Sequence, residues 1–139
     1  MELSAFDLAQ RFVGIREVAG PTANAHILAM LQLDAPWPTD DEVAWCSAFV
    51  NYVCWLLRLP RSKSLAARSW LDVGRGIDLP RATAGFDVVV LERGAGGHVG
   101  FYAGQEETVV LLLGGNQGNR VSVAPFAAAR ILGVRRLLA

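Results

Sequence analysis

The sequence predicts an α+β domain in which N-terminal helices pack on a mainly antiparallel β-sheet. Apolar residues recur at spacings of three and four up to about residue 73, and after Pro80 they gather into short, β-branched runs separated by hairpin-length turns. Composition adds a third observation. The 139 residues are 53% hydrophobic and only 19% charged, which excludes disorder and supplies the core of one domain, residues 1–139.

Ser4 followed three residues later by Asp7 is a capping-box pattern, and it opens a helix over 5–19. Phe6, Leu8, Ala9, Phe12, Val13 and Ile15 form its stripe, and Gly20-Pro21 is its stop. A second helix over 25–33 ends at the turn-rich Asp34-Ala35-Pro36-Trp37-Pro38. Thr39, Asp40, Asp41 and Glu42 then offer N-caps and an acidic first turn for a third helix over 43–57. Its apolar residues Cys46, Phe49, Val50, Val53 and Leu57 make it the central one. A loop over 58–64 precedes a short helix over 65–73, closed by Gly74. Strands are expected over 87–91, 98–102, 108–113 and 121–123, with 131–138 as a fifth. No internal repeat interrupts this order.

Thirteen Lys and Arg balance thirteen Asp and Glu, which argues against nucleic acid or an anionic membrane as partner. Two cysteines and two histidines are too few for a disulfide scaffold or for most metal sites, and neither glycine-rich turn has the spacing of a phosphate loop. No metal and no organic cofactor is expected. The first residues carry Glu2 and Asp7 where a secretory signal carries Lys or Arg, and no apolar run is long enough to insert in a membrane. Synthesis in the cytoplasm without an export signal of its own is the expectation.

Three residues form a candidate nucleophilic constellation. Cys46 follows Trp45 near a helix start, where unpaired N–H groups and the dipole favour thiolate; the competing reading is a small buried hydrophobe. His98 stands where Gly96-Gly97 passes into a strand, a place that equally suits a surface turn histidine. Asn116 lies one strand further on, where an amide oxygen would accept the imidazole N–H, although Asn is also an ordinary turn residue. Gln117 and Asn119 compete for that role. His26, inside a helical run, reads as structural or exposed. Cys54, about two turns beyond Cys46 on the same helix, is too far away to join the site. Trp37, Trp45, Trp55 and Trp70 are candidates for a glycan-stacking surface or for core.

Four stretches carry a family resemblance: 41–51 (DEVAWCSAFVN), 67–71 (ARSWL), 97–102 (GHVGFY) and 114–119 (GGNQGN). Together they resemble a papain-like cysteine peptidase of the CHAP and NlpC-like peptidoglycan hydrolase group, in particular a small phage-associated family. The resemblance implies a papain-like fold, a catalytic Cys46 and His98, and a polar third residue on the following strand, here Asn116. Many CHAP enzymes have Glu at that third position. It also implies that Trp45, Gly97 and Gln117 contact substrate. The implied activity is cleavage of an amide bond in the peptidoglycan stem peptide, as an endopeptidase or an N-acetylmuramoyl-L-alanine amidase. A phage lysis enzyme released by a holin, or an antibacterial effector with a delivery or immunity protein as partner, would reach the wall without its own signal. An acyltransferase or deamidase on another amide, and a catalytically silent binding module, are the alternatives.

Overall fold

The structure, a computed structural model, describes residues 3–18, 23–38 and 44–138. Ser4 and Asp7 form the capping box at the start of α1 (Ala5–Gln10), which is shorter than the helix over 5–19 that the apolar period suggests. Long-range pairing overrides that period. Gly14 takes φ 102°, and the chain then bonds to the loop before β5 (Ser122–Ala127). Gly14 N–H donates to Val121 O, Val121 N–H to Ile15 O, and Glu17 N–H to Asn119 O. In α2 (Ala25–Gln32), Asn24 Oδ1 caps the N–H groups of His26 and Ile27.

The central helix α3 (Cys46–Leu57) starts later than residue 43, so Cys46 occupies its first turn. The cap candidates Thr39, Asp40, Asp41 and Glu42 lie outside the described residues. From Cys46 to Cys54 every residue but Tyr52 is buried, which is the pattern of a helix enclosed on all sides. Its two buried polar side chains are fully used. Ser47 Oγ donates to Ser64 O at 2.6 Å and accepts the Trp70 indole N–H at 2.9 Å. Asn51 accepts Lys63 N–H and donates toward Ser62 Oγ and Ser64 O, pinning the loop that follows α3. The segment expected to be a helix over 65–73 is a 3₁₀ helix, Ala67–Asp72.

Six strands form one antiparallel sheet: β1 (Arg75–Gly76), β2 (Asp87–Arg93), β3 (Gly96–Glu106), β4 (Val109–Gly114), β5 and β6 (Ile131–Arg136), in the order β1-β6-β2-β3-β4-β5. The α+β expectation holds. Two-residue β1 has no apolar alternation to betray it, so β6 is the sixth strand and not the fifth. Cross-strand partners Asp87 and Arg136 set the β2–β6 register through a two-pronged ion pair at 2.8 Å, with Asp87 wholly buried.

Both faces of the sheet are apolar, which is why Val88-Val89-Val90-Leu91 is a continuous apolar run. Val88, Val90, Val99, Phe101 and Leu113 pack with α3, while Val89, Leu91, Tyr102, Val110, Leu112 and Val134 form a second cluster. The sheet is strongly coiled around this second cluster. Phe126 on β5 is opposite Val110, itself paired with Gln105 toward the far end of β3, yet its ring stacks on His98 with centroids 5.0 Å apart.

The turn after β4 is seated directly on α3: a Cβ on Gly115 would lie 2.7 Å from the Trp45 ring and 2.8 Å from Phe49 Cβ. Gly115→Ala is therefore expected to lower the unfolding free energy by about 1–3 kcal/mol through overpacking. Urea denaturation checks this, and a variant as stable as the parent would refute the close packing.

Candidate active site

Cys46 is placed by the first turn of α3 against β3. Its sulfur lies within reach of the backbone N–H groups of Val99, Ser47 and Cys46 itself, with Arg93 nearby. The side chain is 5% exposed. Burial raises the thiol pKa, and these N–H groups and Arg93 offset it only in part. The expected thiolate preference of a helix start is thus corrected: desolvation wins over the dipole, and the resting group is a thiol.

His98 precedes Val99 on β3, so the candidate nucleophile lies against the backbone immediately following the candidate base. Its ring is 1% exposed and faces the second cluster, stacked on Phe126. Burial pushes its pKa down to about 4; the bond to Gln117 opposes this, and Arg93 and Arg130 add to it. Imidazole and thiol are both neutral at rest.

The partner of His98 is Gln117, whose Oε1 lies 2.8 Å from His98 Nε2. The orientation of this amide is decided by its other end. Gln117 Nε2 donates to Leu112 O at 3.1 Å and to Ser122 O at 2.8 Å, so Oε1 is the end that meets the ring and must accept. His98 therefore carries its proton on Nε2. Its Nδ1 keeps the lone pair, and this is the one buried side-chain N or O atom without a hydrogen-bond partner among the described residues. No hydrogen bond joins it to the Cys46 sulfur in this structure.

Asn116, the favoured sequence candidate for the third position, is a turn residue at φ 57° and makes no bond to His98; Gln117 occupies that geometry. Neither parity nor turn chemistry distinguishes the two in a Gly-Gly-Asn-Gln-Gly-Asn segment. The deciding signal is the pair of carbonyls that only the structure supplies. Asn119 also has φ above zero, at 60°. Gln117, also expected to touch substrate, is buried with its amide fully used by the protein. Trp45, another expected substrate contact, is wholly buried and donates its indole N–H to Glu17 at 2.7 Å, so its work is packing. Gly97 does line a surface cavity, together with residues 65–68 and 95–96. Trp70 is core, whereas Trp37 and Trp55 are 64% and 49% exposed.

His26 is exposed and meets Phe12 and Tyr52 edge-on. Cys54 is buried, and burial pushes its pKa up to about 12. Among the described residues, no three His, Cys, Asp or Glu side chains are grouped to hold a metal ion, and no helix is long and apolar enough to cross a membrane.

No protein-family model matches the chain, and no curated protein sequence does. Among solved structures, that of NlpC1 from Trichomonas vaginalis is similar over 96% of this chain, with a TM-score of 0.58 and 16% sequence identity. The chain spans 42% of the length of that protein. The likeness is one of fold: the α+β arrangement described above is shared with NlpC1.

Because the folded His98 pKa of about 4 lies below the ordinary 6.5, the unfolded chain binds this proton first as pH falls. Stability from this group is complete above pH 6.5 and is lost down to about 4, by roughly 3 kcal/mol in all. Denaturation of wild type and His98→Gln across this window is expected to show a steeper loss in wild type; parallel curves would overturn it. Nitrogen-15 spectra at pH 7 are expected to show a neutral ring protonated on Nε2.

Proposed function

We propose that the chain is a thiol-dependent hydrolase that cleaves an amide bond of peptidoglycan peptide, with Cys46 as nucleophile, His98 as base and Gln117 as the residue that orients His98. One observation carries this reading: Gln117 fixes the ring so that its bare Nδ1 is buried and unpartnered, one residue of backbone from the contact with Cys46. A buried lone pair left unmatched disfavours the folded state, and such exceptions call for a reason. A proton to accept supplies one. The resemblance of the segments around Cys46 and His98 to CHAP and NlpC-like hydrolases, with the fold shared with NlpC1, supports the peptide substrate.

In this mechanism substrate binding brings thiol and ring together, and Nδ1 takes the Cys46 proton as sulfur attacks the carbonyl carbon. The first-turn N–H of Cys46 donates to the developing oxyanion. The imidazolium then protonates the leaving amine, giving a thioester, and water attacks this with His98 again as base, releasing acid and thiol. The proton transfer belongs to the bound state, because burial keeps both groups neutral before it. Release by a holin or delivery by a secretion machine is the route to the wall that we assign.

The same burial favours a second reading, a silent binding module in which Cys46 is core. Incubation of wild type, Cys46→Ser and His98→Ala with isolated sacculi, followed by mass spectrometry of released muropeptides, separates the two. Hydrolysis is expected from wild type alone, and the new terminus identifies the bond. Gln117→Ala is expected to lower kcat by about tenfold or more. Failure of wild type on several wall types, with Cys46 inert to iodoacetamide and Cys46→Ala destabilised, would establish the silent module. Product that persists only with an added amine would instead mark an acyltransferase.

A further inference from the structure

We propose that the cavity between residues 65–68 and the β2–β3 hairpin is a carboxylate-recognising subsite in which Arg68 receives a free carboxylate flanking the amide to be cleaved. This deepens the hydrolase reading and rests on it. The cavity, about 330 Å³, opens between residues 65–68 and the hairpin residues 95–97. Gly97 forms part of its wall and shares with Val99 the face of β3 that packs with α3, the helix bearing Cys46, whereas the His98 ring lies on the other face. Its volume falls within the range of roughly 300–1,000 Å³ typical of small-ligand pockets.

Arg68 is the charged residue in this lining, and its guanidinium is held in place. Nε–H donates to Gly96 O at 2.9 Å, and a Cβ on Gly97 would lie only 3.2 Å from Arg68 Cγ. The two Nη groups have no hydrogen-bond partner among the described residues and form a two-donor edge of the shape that a carboxylate matches. Two more guanidiniums stand at the same hairpin. Arg93 is opposite Gly96 in register, and Arg130 donates from Nε and Nη2 to Glu92 O.

Among the described residues no acid forms an ion pair with this cluster. Among the described residues the side-chain ion pairs are Arg61–Asp34 and Arg136–Asp87, and Glu92 on the hairpin offers Arg130 only its backbone carbonyl. A chain of formal net charge zero thus places three arginines that have no ion pair among the described residues around one hairpin. A neutral peptide gains nothing from that field, whereas a peptide carboxylate is attracted by it and gripped by a fixed fork.

Binding tests this without turnover. Cys46→Ala protein would be titrated calorimetrically with an N-acetylated, C-amidated tripeptide whose central residue is glutamate, and with its glutamine counterpart. The carboxylate peptide is expected to bind at least tenfold more tightly, with the preference shrinking as salt is raised. Arg68→Gln is expected to abolish the preference, and Arg68→Lys to retain part of it. Undetectable binding of the carboxylate peptide, equal binding of both peptides, or a preference that survives in a folded Arg68→Gln overturns the proposal. Should Arg68→Gln fail to fold, the parent comparison and Arg68→Lys decide, a full preference in the latter also overturning it. Discrimination in binding with no cleavage of sacculi by wild type keeps the subsite and removes the hydrolase reading; cleavage without discrimination does the reverse.

Discussion

The side-chain amide of Gln117 ties the candidate site to the sheet. Its nitrogen is held by carbonyls of Leu112 on β4 and Ser122 on β5, and its oxygen by His98 on β3. One side chain thereby couples three strands and settles the protonation of the ring. The Gly114 backbone passes so close that a Cβ there would press on its oxygen, so the glycine at the end of β4 makes room for this amide, while a Cβ on Gly100 would crowd Leu112 Cβ at 3.1 Å. Gly115 completes the arrangement by letting the same turn lie on Trp45 and Phe49, which fixes the turn against the helix that bears Cys46.

Burial sets the chemistry. A cysteine in a first helical turn with three N–H groups around its sulfur has the makings of a thiolate, but desolvation raises its pKa regardless. The same desolvation lowers that of His98, and the nearby Arg93 opposes charge on the imidazole while favouring it on the sulfur. A neutral pair follows at rest, and in the proposed mechanism charge separation comes only with bound substrate. The stack of Phe126 on His98 keeps that ring dry, and it exists only because the sheet coils far enough to carry β5 across its second face.

Much of this was legible residue by residue. The Ser4–Asp7 box, the helix through Cys46 and Phe49, and the β2–β3 hairpin were all readable because each depends on local capping, helical period or turn chemistry. The helix expected over 5–19 failed where residues 14–17 found partners at 119–121, a contact with no local trace. Trp45 was misread for a related reason. The family resemblance implied a substrate contact for it, whereas its partners, Glu17 and Gly115, come from distant parts of the chain and hold it in the core.

The sequence by itself determined the α+β class, the order of its main elements, and the residue types able to do thiol chemistry at Cys46 and His98, because period, capping and composition are properties of neighbouring residues. The tertiary structure alone decided that Gln117 and not Asn116 holds the ring, that Nδ1 is the bare nitrogen, and that Arg68 stands beside Gly97. Each of these depends on which donor meets which acceptor across strands far apart in sequence. A one-residue choice between two adjacent amides of the turn after β4 is made by the two carbonyls, on β4 and β5, that meet only one of them.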